Sequence, residues 1–151
     1  METQGTVHDI LQSKGGRIVT TIPQATVYEA IGLMGEHNIG ALVVVEDGRV
    51  VGVITERDYS RKVVLQGRTS RDTLVNEILS SPAITVAPED SIETCMKLMT
   101  ARRIRHLPVI ENGVLTGLVS MGDLVNWVIQ TQRHTILQLQ GYISGAGEYP
   151  G

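Results

Sequence analysis

The chain has a single cysteine, no phenylalanine, few aromatic residues of any kind and no excess of basic charge. Cys95 alone cannot close an internal disulfide or build a cysteine metal cluster, which suits a reducing compartment. A formal net charge of -3 argues against a general nucleic-acid binder, because affinity for the phosphate backbone comes largely from basic residues. The longest uninterrupted apolar run, Ala41 to Val45, is far too short to span a bilayer, and neither a basic n-region nor an apolar h-region opens the chain. A soluble cytoplasmic protein with no nucleic-acid or membrane partner is the expectation. His8, His37, His106 and His134 lack i,i+4 partners and neighbouring cysteines, so no metal site is expected. Gly-x-Gly-x-x-Gly and P-loop patterns are missing, as are a nucleophile with an adjacent base and a carboxylate pair placed for hydrolysis. No catalytic residue is therefore assigned, and no enzymatic activity is expected.

What the chain does have is a repeat. Thr20-Thr21-Ile22-Pro23 answers Thr85-Val86-Ala87-Pro88, Leu33-Met34 answers Leu98-Met99, Ile39 answers Ile104, Gly48 answers Gly113, and Gly52 to Asp58 answers Gly117 to Asp123, all at one constant offset. A gapless internal repeat means one structural unit used twice. With 151 residues and 42% hydrophobic content, one compact domain built from two halves is expected. Val7 to Ser13 matches Val75 to Ser81 at a slightly larger offset, which puts a length difference in the loop containing Gly15-Gly16.

Each copy opens with a short amphipathic helical segment. A β-branched run follows, Ile18 to Ile22 or Ile84 to Val86, and a proline suits each strand end. Thr26-x-x-Glu29 and Asp90-x-x-Glu93 read as capping boxes, and the apolar positions Val27, Ala30, Ile31, Met34 and Ile92, Cys95, Met96, Met99 give each helix one buried stripe. That stripe makes Cys95 and the methionines core residues rather than chemistry. Asp47-Gly48 and Asn112-Gly113 between apolar runs are hairpin signals. The closing helices start at Thr55 and Ser120, and the second continues toward Ile143. Its stripe of Ile129, Ile136, Leu139 and Ile143 can pack on its own module, but the length of the helix makes a dimer contact the expectation. Residues 7–67 and 74–143 are the expected repeats, with a flexible tail over 144–151.

Both repeats end in Gly-x-x-[Thr/Ser]-x-x-Asp, and Arg105-His106-Leu107-Pro108-Val109 enters the second hairpin. The duplicated unit with these motifs resembles a tandem pair of cystathionine-β-synthase (CBS) domains over about residues 7 to 143, similar to small stand-alone bacterial CBS-pair proteins. The resemblance implies an α/β (α+β) fold of two pseudo-twofold-related β-α-β-β-α repeats forming one module, which commonly dimerises into a disc. It also implies two clefts for an adenosine-containing ligand such as AMP, ATP, NAD(H) or S-adenosylmethionine, and an unidentified regulated protein as partner. In the family's pattern Asp58 and Asp123 accept the ribose diol. Thr55 and Ser120 contact ribose or phosphate from a helix N-terminus, where free N–H groups favour an anion. Adenine lies on aliphatic side chains and backbone, here Ile18, Val19, Thr20, Ile39 and Gly40 in the first cleft and Ile84, Thr85 and Ile104 in the second, so the lack of Phe is no obstacle.

The resemblance further implies that the pseudo-twofold brings Arg105 and His106 to the Asp58 cleft, where Arg57 and Lys62 assist with a phosphate. On that expectation the Asp58 cleft is the main site and the Asp123 cleft the weaker one. Two readings stay open at this point. Thr55-x-x-Asp58 and Ser120-x-x-Asp123 are also plain capping patterns, so a ligand-independent dimeric scaffold stands beside the nucleotide sensor. Arg102, Arg103, Arg105 and His106, like Arg57, Arg61 and Lys62, can equally be solvated faces.

Overall fold

Each opening helix packs on the other repeat, so the repeats of the sequence are not the packing units. The computed structural model describes residues 5–15 and 18–146, apart from the side chains at 134, 135, 138 and 142–146. Helix α1 (Val7–Lys14) is held by a reciprocal Thr6–Asp9 capping box, and its Val7 and Ile10 sit in a core with Ile92, Met99, Leu107, Val119 and Leu124 of the second repeat. Its first N–H groups, at Val7 and His8, donate to the carbonyls of Asp90 and Pro88, each at 2.9 Å. Helix α4 (Val75–Ile78) does the same in reverse: Val75 and Ile78 join Val27, Met34, Leu42 and Ile54 of the first repeat. Val75 N–H donates to Ala25 at 2.8 Å and Asn76 N–H to Pro23 at 3.0 Å. An eight-residue amphipathic helix buries its apolar face only against a partner, and the exchange ties the two halves into one module.

In the first repeat β1 (Thr20–Thr21) runs parallel to β2 (Ala41–Glu46), which pairs antiparallel with β3 (Arg49–Thr55). In the second, β4 (His106–Glu111) pairs with β5 (Val114–Ser120). The register slips at corresponding places, between Val44 and Val45 and between Val109 and Ile110. Both hairpins turn on two successive positive-φ residues, Asp47 (52°) with Gly48 (76°) and Asn112 (52°) with Gly113 (78°). That is the type I′ geometry that the Asp-Gly and Asn-Gly signals predict. Helices α2 (Val27–His37) and α5 (Ile92–Arg102) cover the sheets, and both end in a left-handed residue, Asn38 and Arg103.

Three expectations need correction. The first strand is two residues long rather than Ile18 to Ile22, and its counterpart Ile84 to Val86 is no strand, only a parallel bridge between Val86 and Val109. Pro108 explains the loss: in a parallel ladder the next bond back would run from residue 108 to Ile84, and proline has no N–H to give. Second, α5 is capped by Ser91, which accepts from Thr94 N–H at 3.0 Å, while the Asp90 carboxylate accepts from Ala87 N–H at 2.7 Å. Third, α6 (Met121–Ala146) includes residues 144–146 of the expected tail, and 147–151 lie outside the described residues. The short helix α3 (Glu56–Tyr59) closes the first repeat and passes into a π-turn over Ser60–Val64.

Candidate functional site

The end of β3 and the start of α3 fold around one carboxylate. Thr55 donates to Asp58 Oδ2 through its backbone N–H at 3.0 Å and its hydroxyl at 3.1 Å, and accepts from Asp58 N–H at 3.0 Å. The other oxygen, Oδ1, takes the Ser80 hydroxyl at 3.3 Å and lies 3.0 Å from Lys62 Nζ. Lys62 also donates to the Ile78 carbonyl at 2.9 Å. Asp58 is thus only 8% exposed, with every contact coming from its own turn or from the exchanged segment after α4.

The second repeat builds the same turn with different company. Ser120 N–H donates to Asp123 Oδ2 at 2.8 Å, and Asp123 N–H donates to Ser120 Oγ at 3.1 Å. The lysine here comes from α1: Lys14 Nζ lies 2.8 Å from Asp123 Oδ2 and donates to the Leu118 carbonyl at 3.0 Å. Asp123 is more open than Asp58, with 22% of its side chain exposed. Sequence reading missed Lys14 and Ser80, since both reach their carboxylates only through the helix exchange. The match of Val7–Ser13 with Val75–Ser81 was the one signal of it.

Of the remaining predicted residues, the fold gathers several at these turns. Ala41 pairs with Thr55, and the Gly40 carbonyl accepts from Glu56 N–H at 3.1 Å, so the Ile39–Gly40 entry meets the α3 N-terminus. Thr20 is exposed opposite Val43, Ile18 is half-buried, and Val19 and Ile39 pack on the first core. Ile84 and Ile104 pack likewise on the second core, while Thr85 is exposed. Arg57 points to solvent. A groove of about 520 Å³ runs beside the first turn, lined by Ile31, Met34, Ile39, Gly40, Glu56 and Tyr59 among others. Another of about 370 Å³ lies between Pro23, Glu46, Val51 and Leu79. Neither is lined by Thr55 or Asp58.

Arg105 and His106 stand elsewhere than the resemblance implied. His106 pairs with Ser120 across β4 and β5, and the Arg105 carbonyl accepts from Met121 N–H at 2.8 Å. A tight hairpin sets the first residue of β4 opposite the last of β5, so both residues belong to the Asp123 end. Burial pushes the His106 imidazole below its ordinary 6.5, Asp123 pulls it up, and Lys14 and Arg105 press it down. The consequence is a reversal of the expected asymmetry. Lys14, Arg105 and His106 gather at Asp123, whereas the corresponding corner of the first repeat has Gly40, Ala41 and the acidic Glu56.

A titration checks this placement. Because His106 titrates lower in the folded than in the unfolded chain, its contribution to stability is complete above about pH 6.5 and is lost as pH falls toward the folded value. Followed by NMR, its midpoint should drop further in Asp123→Asn, which removes the charge that favours imidazolium, and stay put in Asp58→Asn. The opposite pattern would return His106 to the Asp58 cleft.

Two such turns, related by an internal repeat and each joined to its exchanged helix, agree with the comparisons to known proteins. Residues 7–64 and 75–130 both match the CBS domain. The chain belongs to the CBS-domain family. It is 43% identical to the mitochondrial CBS domain-containing protein CBSX3 of Arabidopsis thaliana, over 93% of this chain and 72% of that one. A protein with CBS domains from Burkholderia ambifaria MC40-6 is 49% identical and superposes with a TM-score of 0.81, covering 85% of this chain and 96% of that one. A hexameric CBS-CP12 protein from bloom-forming cyanobacteria is 31% identical with a TM-score of 0.73, covering 80% and 70%. CBS pairs of this kind are regulatory, ligand-binding modules. Among the described residues no helix is long and apolar enough to cross a membrane.

Proposed function

We propose that this CBS pair is an adenine-nucleotide sensor that binds AMP, ATP, NAD(H) or S-adenosylmethionine at its Thr/Ser-x-x-Asp turns. As a homodimer it passes occupancy on to a separate regulated protein. A ligand can do this only by binding one conformation of the module better than another. The observation that carries the reading is the pair of helix-opening turns, each presenting a hydroxyl, a carboxylate and a lysine beside an aliphatic strand entry. The phosphate-bearing ligand goes to the Ser120–Asp123 cleft, because Lys14 and Arg105 supply charge there, with the neutral His106 ring beside them, and Glu56 opposes it at the other. At the Asp58 cleft Thr55 and Lys62 face a neutral or weakly charged adenosyl group while Arg57 stays in solvent, and Lys62 must release Asp58, as Lys14 must release Asp123, before a diol can replace it. The self-association of the cyanobacterial CBS-CP12 relative supports an oligomeric form. A cytoplasmic location is proposed from the lone buried cysteine; the Arabidopsis relative is named as mitochondrial.

One observation favours the scaffold reading instead: the hydrogen bonds at Asp58 are satisfied within the chain. A thermal-shift series with AMP, ADP, ATP, NAD, NADH and S-adenosylmethionine separates the two. A native-state ligand at one hundred times its Kd adds about 2.7 kcal/mol of stability, which is roughly 5–11 °C for a chain of this size. The expected result is such a shift with a phosphate-bearing nucleotide, reduced by Lys14→Met and kept by Lys62→Met. A flat response to all six compounds would establish the scaffold.

A further inference from the structure

The chain has ten arginines and only three lysines, yet two of the three, Lys14 and Lys62, stand on the carboxylates of the closing turns, at 2.8 and 3.0 Å. An arginine there would grip the carboxylate through two parallel hydrogen bonds, whereas an ammonium is a compact charge on a flexible stem that changes acceptors readily. The choice fits a cation that has to move.

The two lysines are built in differently. Lys62 belongs to the same turn as Asp58, and the crossing segment it touches is fastened without it, because Ser80 and Val53 exchange backbone hydrogen bonds at 2.9 and 3.1 Å. In the second half the corresponding carbonyl, that of Leu118, is taken by the Lys14 ammonium at 3.0 Å. Among the described residues no backbone hydrogen bond joins the end of α1 to β5. Lys14 is the last residue of α1, and Gly15 at φ 84° follows it. The last turn of that helix is therefore held to β5 by the lysine and by Leu11 lying against Gly117.

Each member of the Lys14–Asp123 pair also keeps a position open. Lys14 donates to Asp123 Oδ2 and to Leu118, which uses two of its three N–H groups. Asp123 accepts from Ser120 N–H and Lys14 on Oδ2, and no described group donates to its Oδ1. At Asp58, by contrast, Oδ1 takes both Ser80 and Lys62. A ribose hydroxyl can thus reach Asp123 Oδ1, and a phosphate the spare ammonium N–H, before the pair itself has to part.

We propose that Lys14 is handed from Asp123 to the phosphate of a bound nucleotide, so that the Ser120–Asp123 cleft selects ligands that bring a diol and an anion together, and α1 registers the exchange. This rests on the nucleotide reading of that cleft and narrows it to ribonucleoside phosphates. Adenosine expels Lys14 without offering it a new partner and leaves the last turn of α1 untied. AMP or ATP supplies the partner and keeps α1 tied through the ligand.

Calorimetric titration of the full chain with adenosine, AMP and ATP tests it, in an Asp58→Asn background that silences the other cleft. The better of the two nucleotides should bind roughly 30-fold more tightly than adenosine, the worth of one charge-assisted hydrogen bond. Lys14→Met should bring that ratio to about threefold or less, weakening the nucleotide and strengthening adenosine. The gain for adenosine is one that a damaged site cannot imitate. Hydrogen exchange of the amides at 11–15 should be roughly two- to fivefold faster in Lys14→Met without ligand and in the parent with adenosine, the range of an exposed ion pair. With the nucleotide it should stay slow. A ratio unmoved by Lys14→Met, or α1 amides equally protected with adenosine and with nucleotide, would overturn the exchange while leaving nucleotide binding in place. If none of the three compounds bound, the nucleotide reading would fall first and the exchange with it.

Discussion

Asp58→Ala is expected to lower the unfolding free energy by about 2–4 kcal/mol, and so to cost far more than the loss of a surface acid. The carboxylate is buried and joins three segments: the end of β3 through Thr55, the π-turn through Lys62 and the exchanged α4 segment through Ser80. Losing the reciprocal cap costs about 0.5–2 kcal/mol, and hydrogen bonds to a charged group are worth about 1.5–3 kcal/mol together with the donors left unpaired. The Lys62 contribution is small, because that side chain is half in water. The melting temperature should fall by roughly 4–16 °C. Asp58→Asn retains an acceptor for Thr55 and should cost less than half as much. Chemical denaturation of both variants at neutral pH provides the comparison. If Asp58→Ala proved as stable as wild type, the network would be incidental and the carboxylate poised for something outside the chain. A practical consequence follows for ligand work: loss of binding in Asp58→Ala mixes the site with the fold, and Lys14→Met and Lys62→Met separate them.

Much of this was legible from residues alone, and for identifiable reasons. The repeat, the hairpins and the closing turns depend on local rules: a constant offset, Asp-Gly or Asn-Gly at positive φ, and a hydroxyl followed by an acid at a helix start. The CBS resemblance rested on those same motifs, and the family match bears it out. The misses lie where contacts join distant segments. Nothing local says that α1 crosses to the second repeat, so Lys14 could not be placed beside Asp123, nor Ser80 beside Asp58. Arg105 and His106 were assigned across the pseudo-twofold, although the Asn112-Gly113 turn, by pairing His106 with Ser120, already held them to their own repeat. The lost strand at Ile84 was visible in principle, since Pro108 stands where a donor was needed.

The exchange of α1 and α4 is close but unequal in the two halves, and a pair of glycines should reveal this. Gly52 and Gly117 occupy corresponding positions in β3 and β5, and each faces the exchanged segment. A Cβ at Gly52 would collide with Leu79 Cδ1 and lie 2.6 Å from the Ser80 carbonyl oxygen. That carbonyl is fixed, because Val53 N–H donates to it at 3.1 Å and Ser80 N–H donates back to Val53 at 2.9 Å. The nearest atoms to a Cβ at Gly117 would be side-chain carbons of Leu11, Cδ2 at 2.6 Å, Cδ1 at 2.9 Å and Cγ at 3.3 Å, and a side chain can rotate where a paired backbone cannot. Alanine gains about 0.5–1 kcal/mol over glycine in a strand from chain entropy, which offsets part of either clash. Overpacking costs about 1–3 kcal/mol where neighbours can yield and more where they cannot. Gly52→Ala should thus destabilise by about 3 kcal/mol and Gly117→Ala by about 1 kcal/mol or less, read from urea unfolding midpoints. Gly52→Ala should also disturb Asp58, since Ser80 is both the obstacle and one of its partners. Equal costs at the two glycines would mean that the bridge between Val53 and Ser80 does not hold the first half as rigidly as its hydrogen bonds indicate.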